Sequence, residues 1–226
     1  MIIDMRVYSY QPSQFMRFLE LYRTRGYAIT ERHLGKTVGV LTSASGLANR
    51  TFQFFAYRDS DHRDECRVGL RSDPEWKAFI SEAAPAIAEQ TNTILAPTDF
   101  SGLKDFKQLD DRAWLTSQQS GGMLFELRTC TAWPGRLSEA LDLMATEGAR
   151  LTHKHVERPI GHFTTETGVA NQVLMLWAYA SAGERDRRRK AMLTDPAFRE
   201  FGQRFDPLVS HEESVLLTPV PYSPLR

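Results

Sequence analysis

The sequence carries no excess charge of either sign: its 226 residues include 28 Lys and Arg against 28 Asp and Glu. A general polyanion binder needs a basic face, so this balance argues against nucleic acid as a partner. No apolar run reaches the roughly 18 residues that a membrane-spanning helix requires, and we expect no membrane partner. Because the P-loop, the GxGxxG turn and the GxSxG elbow are all missing, we expect no tightly bound cofactor.

Cysteine is also scarce. Cys66 and Cys130 are the two cysteines of the chain, and they form no CxxC motif. This usage is typical of reduced thiols rather than of a disulfide framework. The chain begins a strand-like alternation at residue 2 instead of the apolar stretch of a signal peptide. We therefore expect a cytoplasmic protein.

What the sequence does contain is an internal repeat. The stretch "GLANRTFQFFAY" at 46–57 returns as "GVANQVLMLWAY" at 168–179, 122 positions later. The same offset aligns 2–104 with 124–226 without a gap. A period this long exceeds a solenoid unit and matches a whole small domain, so we predict a duplicated domain. The predicted units are a first repeat, a polar linker and a second repeat: 1–103, 104–122 and 123–226.

Each repeat shows strand and helix periods in the order β-α-β-β-α-β. In the first strand, Ile3 and Met5 alternate with Asp4 and Arg6, which is the pattern of a half-polar strand. This order is that of a ferredoxin-like unit, whose helices cover one face of its sheet. A second copy can cover the other face. The predicted fold class is therefore α+β, with two ferredoxin-like βαββαβ units packed sheet to sheet as an intrachain α/β barrel.

Several motifs occur together in the two halves. They are the "HLGKTVG" run at 33–39, the Gly-x-x-Asn turns, the Ala-Tyr strand ends, and the Asp-Pro pairs followed by Trp76 or Phe198. Together they resemble the NIPSNAP family, and the resemblance covers nearly the whole chain outside the linker. It implies the dimeric α/β-barrel fold, here with both halves in one chain. It implies no single reaction, because the wider superfamily includes cofactor-free monooxygenases, polyketide cyclases and haem-handling enzymes.

His33 and His155 are the candidate catalytic residues, since histidine titrates near neutral pH and can move protons. Both lie where the first helix of a repeat gives way to its second strand. The alternative is that each histidine forms a hydrogen bond that holds the turn. Although Glu31, His153 and His162 lie nearby in sequence, the first repeat offers too few convergent ligands, and we expect no metal.

Arginine on the first strand of each repeat is a candidate for binding substrate. Arg6 and Arg128 follow an acidic residue by two positions on a face that the helices should cover, so their charges must be paired. One interpretation is a structural Arg–carboxylate network that crosses to Asn49 or Asn171. The other is a pocket in which Arg6 or Arg128 holds an anion or a carbonyl group.

Aromatic residues end the third strand of each repeat. Tyr57, Tyr179 and Trp177 could cap or orient a ligand, and with the two arginines and the two asparagines they form the candidate substrate-binding set. The alternative is a core tyrosine whose hydroxyl is hydrogen-bonded. The "RDRRRK" run at 185–190 is interpreted as a solvated helix face because acidic residues interrupt it.

Two function classes follow. The first is a small-molecule enzyme without a tightly bound cofactor, catalysing proton transfer, cyclisation or oxygenation of an apolar or aromatic substrate. The second is a non-enzymatic binding or assembly protein of the same fold. A small-molecule ligand and a homo-oligomer are the expected partners in either class.

The repeats differ where a pocket is expected. "HLGK" at 33–36 becomes "HVER" at 155–158, and the third strand exchanges Gln53 for Met175. We therefore predict two pockets of unequal size and polarity, and we favour His33 over His155 as the proton-transfer residue because it lies in the family-like setting.

Overall fold

The computed structural model describes residues 1–110, 123–156 and 158–226. The helices and strands of the first repeat are β1 (Ile2–Tyr10), α1 (Phe15–Leu21), α2 (Tyr27–His33), β2 (Lys36–Ser43), β3 (Arg50–Tyr57), α3 (Ser60–Ser72), α4 (Pro74–Ala83) and β4 (Ile87–Pro97). Those of the second are β5 (Leu124–Ala132), α5 (Leu137–Leu143), α6 (Ala149–His155), β6 (Arg158–Thr165), β7 (Gln172–Tyr179), α7 (Ala182–Thr194), α8 (Pro196–Phe205) and β8 (Val209–Pro219). No described helix has the length and hydropathy that a membrane crossing requires.

The eight strands form a closed barrel in the order β1-β3-β2-β8-β5-β7-β6-β4. All neighbouring strands are antiparallel. Each repeat contributes four consecutive strands, and the repeats join where β2 pairs with β8 and β4 pairs with β6. Closure leaves the sheet without an unpaired edge strand. The prediction of two facing βαββαβ units within one chain is confirmed.

The alternation of β1 determines which side chains face the barrel interior. Ile3 and Met5 belong to the apolar cluster inside the barrel, whereas Asp4 and Arg6 point outward beneath the helices. Large apolar side chains from both repeats complete the interior, including Phe54, Leu95, Phe125, Leu176 and Leu217. An eight-stranded barrel is about wide enough for its own side chains to fill. A cavity for a ligand is therefore expected between the sheet and the helices.

A single turn of π-helix separates α1 from α2 and α5 from α6. It ends at Gly26 in the first repeat and at Gly148 in the second. A Cβ atom at Gly26 would lie 2.6 Å from the Phe79 ring, and one at Gly148 would lie 2.7 Å from the Phe201 ring. Glycine is required at these positions because the helix crosses so close to α4 or α8, and this close crossing brings both helices over the same part of the sheet.

The segment after the last strand of each repeat crosses to the other repeat. Ser101 Oγ accepts a hydrogen bond from the His162 backbone N–H at 2.9 Å, and Ser223 Oγ accepts one from the Val40 N–H at 3.0 Å. The predicted linker begins with a short 3-10 turn, Phe106–Leu109, in which Leu109 is buried. The rest of the predicted linker, residues 111–122, lies outside the described residues.

Candidate functional site

Two cavities lie at equivalent places between the outer face of the barrel and the helices. The cavity of the first repeat has a volume of about 220 Å³, and that of the second about 500 Å³. Equivalent residues line both, including Arg6 and Arg128 on the first strands and Thr30 and Thr152 on the helices. The prediction of unequal pockets is confirmed, and the larger one lies in the repeat with the altered "HVER" motif.

The difference in volume comes from smaller side chains in the second repeat. Three positions on the cavity walls change from Tyr8, Tyr22 and Ile80 to Cys130, Met144 and Gly202. Behind the first wall, the rings of Tyr10 and Phe18 pack at 4.3 Å and those of Phe18 and Tyr22 at 5.9 Å. Tyr10 and Phe18 correspond to alanines in the second repeat, namely Ala132 and Ala140. Loss of these rings opens the second cavity.

The walls also differ in charge. The first cavity is lined by Arg6, Arg67 and Arg71 together with neutral polar and apolar side chains, and no carboxylate belongs to the described part of its wall. In the second, two arginines are balanced by two carboxylates, and the remaining wall is mainly apolar. Its charged residues are Arg128, Arg199, Asp206 and Glu212, and its apolar ones include Met144, Met175, Trp177, Met192, Leu193, Phe198, Phe201 and Phe205.

A buried carboxylate lies behind the first cavity. Asp4 Oδ2 accepts hydrogen bonds from Arg6 Nη2 and from Arg63 Nε, each at 2.9 Å. Its other oxygen accepts one from Asn92 Nδ2 at 3.2 Å. Burial alone would raise the pKa of Asp4, but Arg6 and Arg63 outweigh it and hold that pKa below its usual value. The predicted charge network exists, and Asn92, rather than Asn49, supplies the amide.

The second repeat pairs its buried carboxylate differently. Glu126 bonds to Arg185 through both oxygens, at 2.8 and 3.0 Å, and also accepts from Arg189 at 3.2 Å and from Ser214 Oγ at 2.6 Å. Burial would raise the pKa of Glu126, but the hydrogen bonds from Arg185 and Ser214 lower it. The interpretation of 185–190 as a solvated face is wrong for Arg185 and Arg189, since both bond to Glu126 on the sheet.

Arg128 is consequently released from the buried carboxylate. It forms an ion pair with Glu212, which is partly exposed, and its Nη1 is buried without a hydrogen-bond partner in the described structure. Burial and the positive charge of Arg189 lower the pKa of Arg128. The Trp177 indole nitrogen is likewise buried without a partner, and burial raises the pKa of the Cys130 thiol. The wall therefore offers hydrogen-bond donors with no acceptor, beside a neutral thiol.

His33 and His155 line neither of these cavities. His33 Nε2 lies 2.6 Å from Asp73 Oδ2, and His155 Nε2 lies 2.7 Å from Asp195 Oδ2. Each aspartate also caps the N-terminus of the following helix, α4 or α8. His33 thus ties the end of α2 to the start of α4, and His155 ties the end of α6 to the start of α8, each through an aspartate about forty residues away.

The two candidate tyrosines also lie away from both cavities. Tyr57 and Tyr179 are buried at the ends of their strands, and burial is the first cause of the raised pKa of each, to about 12 for Tyr57. Asn49 and Asn171 occupy left-handed turns, with φ of 54° and 61°. Their carbonyls accept hydrogen bonds from the Tyr10 and Ala132 N–H groups, so the structure assigns both asparagines a role in closing the turn. Of the candidate substrate-binding set, Arg6, Arg128 and Trp177 line a cavity.

His162 occupies a separate buried position on β6. Its ring lies 5.7 Å from that of His153 and 5.4 Å from that of Phe100, and neither ring nitrogen has a partner in the described structure. Burial and then His153 lower the pKa of His162 to about 4. Within the three described stretches of chain, no group of three or more His, Cys, Asp or Glu side chains is placed to hold a metal ion.

The sequence motifs did not identify several residues that line the cavities, above all Gly202, Glu212, Arg71 and Gln90. None belongs to a recognisable motif. The signal available was the 122-residue offset itself, which aligns Gly202 with Ile80 and Glu212 with Gln90. The exchange of Ile80 for Gly202 changes side-chain size, and the exchange of Gln90 for Glu212 changes charge. Such exchanges at aligned positions indicate where the walls of the two cavities differ.

The NIPSNAP family profile matches two segments of this chain, residues 3–102 and 125–224. The chain belongs to the NIPSNAP family. Human Protein NipSnap homolog 3A is 28% identical to it, over 99% of this chain and 85% of that protein. Protein NipSnap homolog from Dictyostelium discoideum is 24% identical, over 97% of this chain and 87% of that protein. The two cavities therefore belong to two NIPSNAP repeats of one chain.

A solved structure supports the same architecture for the whole NIPSNAP pair. A proposed monooxygenase from Lactobacillus acidophilus superposes with a TM-score of 0.62, over 96% of this chain and 92% of that one. The two sequences are 8% identical, so the likeness concerns the fold alone.

Proposed function

We propose that the second NIPSNAP repeat binds a small molecule with an apolar, largely aromatic body and a head group that accepts hydrogen bonds. The observation that carries this proposal is the cavity of about 500 Å³ beside Arg128. Ligand pockets have volumes of roughly 300–1,000 Å³, with mostly apolar walls and a few polar groups that orient the ligand. The first cavity, at about 220 Å³, falls below this range.

The composition of the wall favours an apolar body. Met144, Met175 and Met192 supply flexible, polarisable thioethers, which adapt to irregular ligands and contact aromatic rings favourably. Trp177, which is 3% exposed, supplies a flat face close to the Arg128 guanidinium. A planar apolar molecule fits such a wall.

The head group is expected at Arg128. A donor buried without a partner costs roughly 1–3 kcal/mol, and an acceptor on the ligand removes that cost. Arg128 Nη1 is such a donor, because the ion pair with Glu212 uses the other terminal nitrogen, Nη2. A carbonyl or a carboxylate is therefore the expected head.

We also propose that turnover in this cavity is proton transfer, cyclisation or oxygenation without a tightly bound cofactor. Asp206, Glu212 and Cys130 line the cavity, whereas His155 does not. A general base must come within hydrogen-bond reach of the substrate. We accordingly assign acid–base work to Glu212 in preference to His155 or His33.

Binding can be tested by calorimetric titration with 2-naphthoate as the probe. Gly202→Ile copies the first repeat, and it should weaken binding at least about tenfold because the larger side chain fills the cavity. A Cβ at Gly202 meets just Asp206, at 3.7 Å, so the variant should fold. It should even be about 0.5 kcal/mol more stable, since glycine disfavours helix interiors.

The matched control is Ile80→Ala, which changes the equivalent position of the other cavity and should leave naphthoate affinity unchanged. A second arm compares 2-naphthoate with naphthalene-2-carboxamide in the Arg128→Met variant. The carboxylate should lose more affinity than the amide, because a charge-assisted hydrogen bond is the stronger one. Naphthoate binding that survives Gly202→Ile, or that is absent from the unmodified protein, would contradict the proposal.

A further inference from the structure

The first cavity has an excess of positive charge that the fold does not neutralise. Its wall carries Arg6, Arg67 and Arg71 without a described carboxylate, and Arg63 approaches the same cluster from α3. Asp4 is the carboxylate within this cluster. Buried charges require partners. Arg6 is buried against Asp4, Arg63 also lies 3.7 Å from Asp64, and Arg71 is exposed to solvent. Arg67 is therefore the partly buried guanidinium that this carboxylate serves least.

The hydrogen bonds of Asp4 show which of the arginines bind its carboxylate. Its Oδ2 already accepts from Arg6 Nε at 3.1 Å, Arg6 Nη2 at 2.9 Å and Arg63 Nε at 2.9 Å. Arg67 is left at 3.9 Å from the same oxygen. Burial, together with the positive charges of Arg6 and Arg63, lowers the pKa of Arg67. Arg67 therefore lies in an environment that a further anion would relieve.

Neutral hydrogen-bonding groups complete this wall. Gln53, Gln90, Tyr8 and Thr30 line the cavity beside the arginines. At the positions equivalent to Gln53 and Arg71, the second repeat has Met175 and Leu193, and at the position of Gln90 it has Glu212. The same scaffold thus carries a wall with excess positive charge in one repeat and a wall balanced in charge in the other.

We propose that the first cavity binds a phosphate-type oxyanion, either inorganic phosphate or the phosphate group of a small ester. Arginine forks bind tetrahedral oxyanions through paired, charge-assisted hydrogen bonds. A volume of about 220 Å³ is enough for a phosphate group with a small substituent. Trp76, Phe79 and Ile80 line the rest of the cavity and would contact such a substituent.

This proposal is independent of ligand binding in the second repeat. The two cavities have separate walls, with no lining residue in common. Either site can therefore fail its test while the other passes.

Two substitutions that copy the second repeat test the oxyanion site. Arg71→Leu removes an exposed guanidinium at the wall, and Gln90→Glu adds a carboxylate beside the arginines, as Glu212 does for Arg128. Arg58→Leu is the control, because Arg58 is exposed and lines neither cavity. Each protein is titrated calorimetrically with inorganic phosphate and with methyl phosphate, at constant ionic strength set with chloride, so that general screening is equal.

Phosphate should bind the unmodified protein and the Arg58→Leu control alike. Arg71→Leu should bind on the order of tenfold more weakly, the value of one charge-assisted hydrogen bond, and Gln90→Glu should lose binding. Tighter binding of methyl phosphate than of inorganic phosphate identifies an ester as the ligand, and the reverse order identifies the free ion. Equal affinities in all four proteins, or no heat with the unmodified protein, would overturn the proposal.

Discussion

The two cavities occupy equivalent places in one barrel, yet one is small and cationic and the other is large and balanced in charge. Both repeats retain the arginine on the first strand, a buried carboxylate beside it and the histidine–aspartate contact between helices. Features that are present twice serve the fold that both repeats share. Features that differ are free of that requirement, and they are where ligand preference is expected to reside.

The largest expected effect on stability comes from neutralising the buried carboxylates, Asp4 and Glu126, that lie behind the two cavities. Asp4→Asn should destabilise the protein by about 3–5 kcal/mol, because it leaves the buried guanidinium of Arg6 without a carboxylate. Arg6, which is 6% exposed, then has no anionic partner within the described residues. Glu126→Gln should cost less, about 1–3 kcal/mol, since its partners Arg185 and Arg189 are partly exposed and Arg185 keeps Asp186.

Urea unfolding of both variants measures this difference, with the exposed Asp61→Asn as the control. A larger loss for Glu126→Gln than for Asp4→Asn would show that the two clusters are not organised as described.

A second difference between the repeats lies at His162, which is fully buried where the first repeat has Val40. The folded pKa of about 4 lies below the unfolded value near 6.5. The unfolded chain therefore binds the proton first, so stability from this group is complete above about pH 6.5 and is lost as the pH falls towards 4. The loss should reach roughly 3 kcal/mol at the acid end of this window.

His162→Val copies the first repeat, and it should flatten the dependence of the free energy of unfolding on pH between 6.5 and 4. Denaturant titrations at several pH values within that window measure the slope, with the exposed His211→Gln as the matched control. Parallel pH profiles for His162→Val and the unmodified protein would rule out this account of His162.

The smallest effects should come from His33 and His155, where the repeats agree. His33→Gln and His155→Gln should each lower Tm by a few degrees, about 2–4 °C, since each removes one contact between helices. Neither should alter the affinity for naphthoate or phosphate, because these histidines line neither cavity. If either is instead a proton-transfer residue, the rate in an activity assay should fall roughly 10²–10⁴-fold while Tm stays constant.

These contacts carry their own pH dependence. The hydrogen bond from His33 is the first cause of the lowered pKa of Asp73, and those from Lys154 and then His155 lower the pKa of Asp195. A lowered carboxyl pKa stabilises the fold above the unfolded value of about 4, and this stabilisation is lost on further acidification. The decrease in Tm caused by His33→Gln or by His155→Gln should therefore be smaller at pH 3 than at pH 7.

The sequence by itself determined the architecture. The alternation of Ile3 and Met5 with Asp4 and Arg6 specified which face of β1 enters the core, because a strand places successive side chains on opposite faces. The gapless 122-residue offset then required a second unit of the same kind, and two facing sheets follow from the need to bury an apolar face. Local periodicity and repetition are properties of the chain, so no tertiary information was needed.

The tertiary structure decided the site. His33 contacts Asp73 and lines neither cavity, and Glu126 bonds to Arg185 and Arg189 while Arg128 pairs with Glu212. These partners lie far apart in sequence, and the choice between them depends on side-chain reach: glutamate is one methylene longer than aspartate. The volume of the second cavity likewise depends on smaller side chains at positions scattered over β5, α5 and α8. Packing brings those positions to one wall. The repeat therefore predicts that the two cavities differ, but the positions of the cavities follow only from the folded chain.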